Sequence, residues 1–95
     1  MFIVLLKFAK NRADAAQFMQ AHKDWITRGR EAGVFLLVGS LKPAQGGMLL
    51  AHNTSLEALQ QRVAEDPFVQ HQVVSSEIIE VAPNQADQRL TFLLN

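Results

Sequence analysis

The spacing of apolar residues divides the chain into four strand-like and two helix-like stretches. The strand-like stretches are dense in apolar, β-branched and aromatic residues, which is typical of β-strands. They cover residues 2–8, 34–41, 48–52 and 73–81. Residues 42–47 contain a proline and two glycines, so they predict a turn that joins the second and third strands in a hairpin.

The longer helix-like stretch runs from Asn11 to about Ala32. Its apolar and small residues and one histidine recur at helical spacing and would share one face of a helix. These residues are Ala15, Phe18, Met19, His22, Trp25, Ile26 and Gly29. We expect Asn11 to cap the first turn and Gly33 to end the helix in a left-handed conformation.

A second, shorter helix is predicted between the third and fourth strands. Thr54 and Glu57 have the spacing of a capping box at its start. Three apolar residues would face the core, namely Leu56, Leu59 and Val63. The helix should end at Asp66, because Pro67 lacks an amide hydrogen and disfavours helical geometry in the residue before it.

The order β-α-β-β-α-β predicts a ferredoxin-like α+β fold, with both helices on one face of an antiparallel sheet. The first two strands are apolar on both sides, so the face of the sheet away from the helices must also be buried. Six side chains are expected there: Ile3, Leu5, Val34, Leu36, Val38 and Leu49. Full burial of such a side chain stabilises the protein by roughly 1.5–3 kcal/mol, so leaving all six exposed would lose on the order of 10 kcal/mol of hydrophobic stabilisation. We therefore expect a homodimer joined sheet to sheet, a dimeric α+β barrel, with further assembly left open.

Composition narrows the classes of function. A chain of 95 residues, 48% apolar and 19% charged, is typical of one folded domain. Nine basic and nine acidic residues cancel, so nothing favours a nucleic-acid partner. The lack of cysteine excludes disulfides and thiolate metal sites and fits a reducing cytoplasm. The apolar start is too short for a membrane span or a signal peptide, so we expect a cytoplasmic protein without a membrane partner.

Two ionisable side chains are candidates for chemistry. His22 lies on the apolar face of the first predicted helix, and Asp66 stands at a turn fixed by Pro67 and followed by Phe68. An imidazole can take or give a proton near neutral pH, and a bonded carboxylate fixes its tautomer. Such a pair suits proton transfer during isomerisation or elimination. No serine or cysteine nucleophile that would suit hydrolysis is evident nearby.

Plainer interpretations of the same residues stay open. A histidine on an apolar helix face is often a hydrogen-bonded core residue, and an aspartate before proline is often a turn former. His52 and His71 are expected at the surface, and three scattered histidines give no support to a metal site. His22 lies halfway along its helix. It can therefore reach Asp66 only if the segment after the second helix folds inward over the sheet, with Phe68 as its anchor.

Taken together, these stretches resemble the YciI-like (YCII-related) proteins. The order and spacing of five short runs carry the resemblance, which extends from residue 1 to about residue 83. The runs are MFIVLL at residues 1–6, AHKDW at 21–25, AGVFL at 32–36, DPFV at 66–69 and EIIE at 77–80. The run GSL at residues 39–41 departs from the family, in which a glycine–proline step often follows this strand.

The resemblance implies a dimeric α+β barrel and a histidine and an aspartate with an enzymatic role, which carry over to His22 and Asp66. Its wider superfamily includes cofactor-free proton-transfer enzymes and monooxygenases. We expect a lyase or isomerase that needs neither cofactor nor metal and acts on a small organic molecule. Trp25, Phe68 and Ser40 are the expected substrate contacts. The alternative is a non-catalytic dimeric module that binds a small molecule or helps an assembly to form.

The resemblance places the YciI-like domain at residues 1–83 and leaves residues 84–95 as a tail. In the tail, Leu90, Phe92 and Leu94 alternate with other residues, which suits a strand segment with one buried face. The polar linker before them gives the segment reach. We expect the tail to pack on the barrel or on the partner subunit.

Overall fold

A computed structural model describes residues 1–94. Its four strands are β1 (Phe2–Phe8), β2 (Phe35–Leu41), β3 (Gly46–Ala51) and β4 (Val74–Glu80). Its α-helices are α1 (Ala15–Glu31), α2 (Leu56–Ala64) and the single turn α3 (Pro67–Gln70). The strands form one antiparallel sheet in the order β2-β3-β1-β4, so the predicted ferredoxin-like α+β fold is confirmed. None of the helices within residues 1–94 is long and apolar enough to cross a membrane.

The core lies between the sheet and the helices. Alternate residues of β1 are buried, because side chains on a strand point to opposite faces in turn. The sheet contributes seven of the buried apolar side chains: Phe2, Val4, Leu6, Phe35, Leu49, Ala51 and Val74. The helices contribute Trp25, Leu59, Val63 and Phe68. Val4 of β1 pairs with Leu49 of β3, and both lie on the inner face of the sheet, which is turned toward the helices.

The long helix α1 packs directly against Phe35 of β2 at Gly29. A Cβ atom at this position would lie 2.2 Å from ring atoms of Phe35, so any larger residue would displace that ring. The absence of a side chain lets Phe35 pack directly under the helix, where the edge of its ring meets Trp25 at a centroid distance of 5.1 Å. This packing fixes the height of α1 above β2.

The two ends of α1 differ in how well they were predicted. Gly33 follows the helix with φ +75°, the left-handed conformation expected from the sequence. The cap expected from Asn11 was wrong, because a 3-10 turn (Arg12–Asp14) precedes the helix and the Asn11 side chain points elsewhere. Its Nδ2 donates to the backbone oxygen of His71 at 3.0 Å. Asn11 therefore ties the start of α1 to the end of α3.

The cap of α2 is also displaced by one residue. Ser55, and not Thr54, precedes the first helical residue in an extended conformation, and its Oγ accepts a hydrogen bond from the amide of Ala58 at 3.1 Å. Thr54 lies one residue too early for its hydroxyl to serve that amide. The helix exists as predicted, with Leu59 and Val63 buried.

The outer face of the sheet, which is turned away from the helices, is apolar as expected. The residues that form it differ from the predicted ones. A β-bulge lies between Phe35 and Leu37, and the extra residue reverses the alternation of side chains along β2. Val38 consequently pairs with Leu49 on the inner face, and Val34 is buried, so three of the six expected residues were wrong. Strand register places six apolar side chains on the outer face: Ile3, Leu5, Leu37, Met48, Leu50 and Ile79.

The tail does not form the predicted strand. Residues Gln88–Leu94 form a 3-10 helix, because Asp87 accepts hydrogen bonds from the backbone amide and the guanidinium of Arg89. The ring of Phe92 meets His52 edge-on at 5.6 Å, while three apolar side chains stay largely exposed: Leu90, Phe92 and Leu94. Packing of the tail on the barrel or on a partner stays a prediction. Asn95, its last residue, lies outside the described residues.

Candidate active site

Asp66 is held in place by the break between α2 and α3. It adopts an extended conformation (φ −63°, ψ 122°), as expected for a residue before proline. Pro67 then begins α3, where a missing amide hydrogen has no cost. The carboxylate Oδ1 caps this turn by accepting the amide hydrogen of Phe68 at 3.0 Å. The sequence predicted the turn at Asp66 but not the helix that follows it.

His22 and Asp66 are in direct contact. Nδ1 of His22 lies 2.7 Å from Oδ1 of Asp66, which is the short distance typical of a charge-assisted hydrogen bond. Asp66 is fully buried, whereas the His22 side chain keeps 13% of its surface exposed. An ionised carboxylate can only accept a hydrogen bond, so the hydrogen of this bond is carried by Nδ1, and in the neutral ring Nε2 then keeps its lone pair. This contact requires the segment after α2 to fold inward over the sheet, and the helical turn α3 provides that fold.

The His22 ring is also fixed from one side. It lies parallel to the ring of Phe68, with a centroid distance of 3.9 Å and an angle of 5° between the planes. The hydrogen bond to Asp66 sets the rotation of the imidazole, and the stacked ring restrains its tilt. Phe68 therefore acts as the inward anchor expected from the sequence and orients the histidine as well.

The second carboxylate oxygen of Asp66 is under-satisfied. Within residues 1–94 no donor reaches the buried Oδ2. A buried polar atom without a hydrogen bond costs stability, and native proteins keep few of them. Each such atom in a native protein calls for an explanation, such as backbone strain, a bound water or a catalytic role. The plain role of Asp66 as a turn former explains Oδ1 but not the burial of Oδ2.

A cavity of about 260 Å³ lies between α1 and the inner face of the sheet, and His22 lines it. Its walls are mainly apolar: Leu6, Phe8, Met19, Ile26, Val38, Leu49 and Phe68. Polar groups are few, and they come from His22, Lys23 and Ser40. The exposed side chains of Lys23 and Ser40 place its mouth at the surface. A concave apolar site with a few convergent polar groups is typical of small-molecule binding.

The predicted site residues are brought together, with one exception. His22, Phe68 and Ser40 line the cavity, and Asp66 lies behind His22. Trp25 does not line it, because its ring is buried in the core and its Nε1 donates to the backbone oxygen of Arg62 at 2.9 Å. The structure therefore gives Trp25 a packing role between α1 and α2.

Several lining residues were missed by reasoning from the sequence. Lys23 lies outside the apolar stripe predicted for the first helix, and Gly46 and Gly47 were treated as a turn only. Gly46 adopts φ +130°, and a Cβ atom there would lie 2.0 Å from the backbone oxygen of Leu6, so glycine is required. Two adjacent glycines at the start of a strand were the available signal for a close backbone approach.

The sequence matches the family model of the YCII-related domain over residues 1–82. The chain therefore belongs to the YCII-related domain family, as the resemblance had indicated. No curated relative matches it at a significant level.

Among solved structures, the chain is similar to 5-chloro-2-hydroxyhydroquinone dehydrochlorinase (TftG) from Burkholderia phenoliruptrix AC1100, in complex with 2,5-dihydroxybenzoquinone. The TM-score is 0.69 at 13% sequence identity, and the match covers 85% of this chain and 93% of that one. At this identity the likeness establishes the fold alone, which is an antiparallel sheet with helices packed on one face.

Replacing Trp25 with phenylalanine should separate packing from ligand contact. We expect the free energy of unfolding to fall by about 1–3 kcal/mol, from the lost hydrogen bond and the smaller ring. Because Trp25 does not line the cavity, the affinity of a small molecule that binds there should stay within about twofold of the wild type. Trp25 is the only tryptophan, so unfolding should be followed by circular dichroism. A large loss of affinity with unchanged stability would return Trp25 to the ligand site.

Proposed function

We propose that this protein is a small cofactor-independent enzyme, a lyase or an isomerase, in which His22 and Asp66 transfer a proton on a small organic substrate. One observation carries the proposal. Nδ1 of His22 is bonded to a buried carboxylate, while the same ring lines an open apolar cavity. A histidine that served only the core would be sealed from solvent and from any cavity.

The proposed chemistry begins with proton removal by Nε2 of His22. The substrate loses a proton from an oxygen or from a carbon next to a carbonyl, and the released electron pair forms an enolate or a new double bond. In elimination, the proton comes from carbon and its electron pair forms the new double bond, while a leaving group departs with its bonding pair from the neighbouring carbon. His22 then releases the proton to water. In isomerisation, His22 returns the proton to a different atom. Asp66 stabilises the imidazolium between the two steps, and neither route needs an oxidant.

The remaining residues of the proposed site have supporting roles. Phe68 restrains the His22 ring and closes one wall of the cavity. Ser40 lies on the inner face of β2, opposite Gly47 of β3, and its hydroxyl can donate to a substrate oxygen. The cavity of about 260 Å³ is just below the roughly 300–1,000 Å³ of drug-sized sites, so the substrate should be about the size of a single ring.

The structural neighbour supports this class of substrate. It is described as a dehydrochlorinase of a chlorinated hydroxyhydroquinone and was solved with a dihydroxybenzoquinone. Loss of hydrogen chloride is an elimination, which is the type of step that a single positioned base can promote. The fold therefore accommodates lyase chemistry on small oxygenated rings, and the same reaction class is proposed here.

A proton-transfer assay tests the proposal. The protein is incubated in deuterated buffer with a panel of small hydroxyquinones, chlorinated hydroxyquinols and cyclic 1,3-diketones, and nuclear magnetic resonance (NMR) records hydrogen–deuterium exchange and chloride loss. We expect at least one compound to react faster than in buffer, with shifts of amide signals at residues that line the cavity. Binding at the cavity without reaction across the panel would favour the alternative, a non-catalytic ligand-binding module.

We further propose that the protein works as a cytoplasmic homodimer, joined through the outer face of the sheet, without a nucleic-acid or membrane partner. The six apolar side chains of that face support dimerisation, since contiguous exposed apolar surface usually marks an interface. The balanced charge supports the absence of a nucleic-acid partner, and the lack of cysteine supports a cytoplasmic location.

A further inference from the structure

The charge of the cavity is set by Lys23. Among the cavity-lining residues of the described chain, it is the one with a permanent charge, because Asp66 lies behind His22 and outside the lining. The ion pairs within residues 1–94 are His22–Asp66 and Arg89–Asp87, so no carboxylate neutralises the Lys23 ammonium. The neighbouring Asp24 is engaged instead by the side-chain amide of Gln20, at 2.9 Å.

Helix geometry directs the Lys23 side chain along the cavity wall. Met19 precedes it by four residues and Ile26 follows it by three, so the three side chains are neighbours on the surface of α1. All three line the cavity, and Lys23 is exposed. A lysine in this setting lays its methylene groups along apolar surface and keeps its ammonium in water. The cation therefore belongs at the mouth, above an apolar interior.

We propose that Lys23 makes the cavity selective for small organic anions, such as carboxylates, phenolates and enolates, whose apolar body enters while the charged oxygen stays near the mouth. This inference deepens the proposed function, because a nearby cation would also stabilise the negative charge formed when His22 removes a proton. Anion selectivity as such is a binding property and is measurable without any reaction.

Benzoate and benzamide test the selectivity, because they share shape and size and differ in charge. Their affinities are measured by amide chemical-shift titration at neutral pH. For the wild type we expect benzoate to bind about fivefold more tightly than benzamide, as is reasonable for one partly exposed charge pair. Lys23→Gln should reduce the preference to less than about twofold. Added salt should weaken the wild-type preference through screening.

Arg30→Gln is the matched control. It removes one positive charge from the same helix at an exposed position that does not line the cavity, so it should retain the wild-type preference. A Lys23→Gln variant that keeps the full preference for benzoate overturns the inference. So does a wild-type protein in which benzoate at tens of millimolar leaves the cavity amides unshifted.

The two proposals fail in different ways. If Lys23→Gln abolishes the preference for benzoate while no compound of the reaction panel turns over, anion selectivity stands and the enzyme proposal falls. If a reaction depends on His22 while the preference is unchanged in Lys23→Gln, the enzyme proposal stands and the role of Lys23 falls.

Discussion

Replacing His22 with asparagine is expected to reduce turnover of a panel substrate by about 10²–10⁴-fold, the usual contribution of a general base. Asparagine places an amide nitrogen near the position of Nδ1, so the hydrogen bond to the buried Asp66 is retained in the variant. It has no basic nitrogen in place of Nε2. The protein should therefore stay folded, as circular dichroism would verify, while the rate falls.

Asp66→Asn supplies the companion variant. Asparagine is an equally good helix cap, so the bond from the Phe68 amide and the turn into α3 should persist. The negative charge that stabilises the imidazolium is lost, and we expect a smaller loss of turnover than in His22→Asn. Because the two residues act as a unit, the double variant should be no slower than His22→Asn alone.

Two results would contradict the paired mechanism. One is an Asp66→Asn variant with wild-type turnover, which would reduce Asp66 to a cap of α3. The other is a double variant whose loss equals the product of the two single losses, which would mean that the residues act independently. Either result leaves the contact at 2.7 Å in place but removes its catalytic meaning.

The fold and the central pair were accessible from the sequence because their signals are local. The alternation of β1 and the helical spacing of α1 are set by neighbouring residues, and Pro67 restricts Asp66 directly. The contact between His22 and Asp66 was predicted only on the condition that the chain folds inward after α2, because it depends on the helical turn at Pro67–Gln70. That turn has four residues and no periodicity to detect.

The features that were missed depend on distant parts of the chain. The bulge at Leu36 becomes visible only when β2 is aligned with β3, and it exchanges the faces of the residues on either side. Val38 was thus expected on the outer face and instead lines the cavity. Lys23 was not considered for the site because helical spacing places it off the apolar stripe of the first helix. The cavity forms only where α1 packs over the sheet, so the position of Lys23 at its mouth cannot be read from the helix sequence alone.

Leu37→Glu is expected to convert a dimer into monomers. Leu37 is 56% exposed on the outer face, more than any other large apolar residue of the described chain, and register places it opposite Leu50. A sheet-to-sheet dimer would bury it. A carboxylate without a partner in such an interface costs at least about 2 kcal/mol. Symmetry places one in each subunit, so the dimer should weaken by about 10³-fold.

Sedimentation equilibrium at micromolar concentration measures the effect. We expect twice the chain mass for the wild type and a single chain mass for Leu37→Glu, which should stay folded because the substituted side chain lies outside the core. Gln61→Glu is the control, since it adds the same charge at an exposed position of α2 and should remain dimeric. A folded wild-type monomer would contradict dimerisation itself. A dimeric Leu37→Glu would place the interface on another surface, because an unpaired charge cannot be buried in both subunits without that cost.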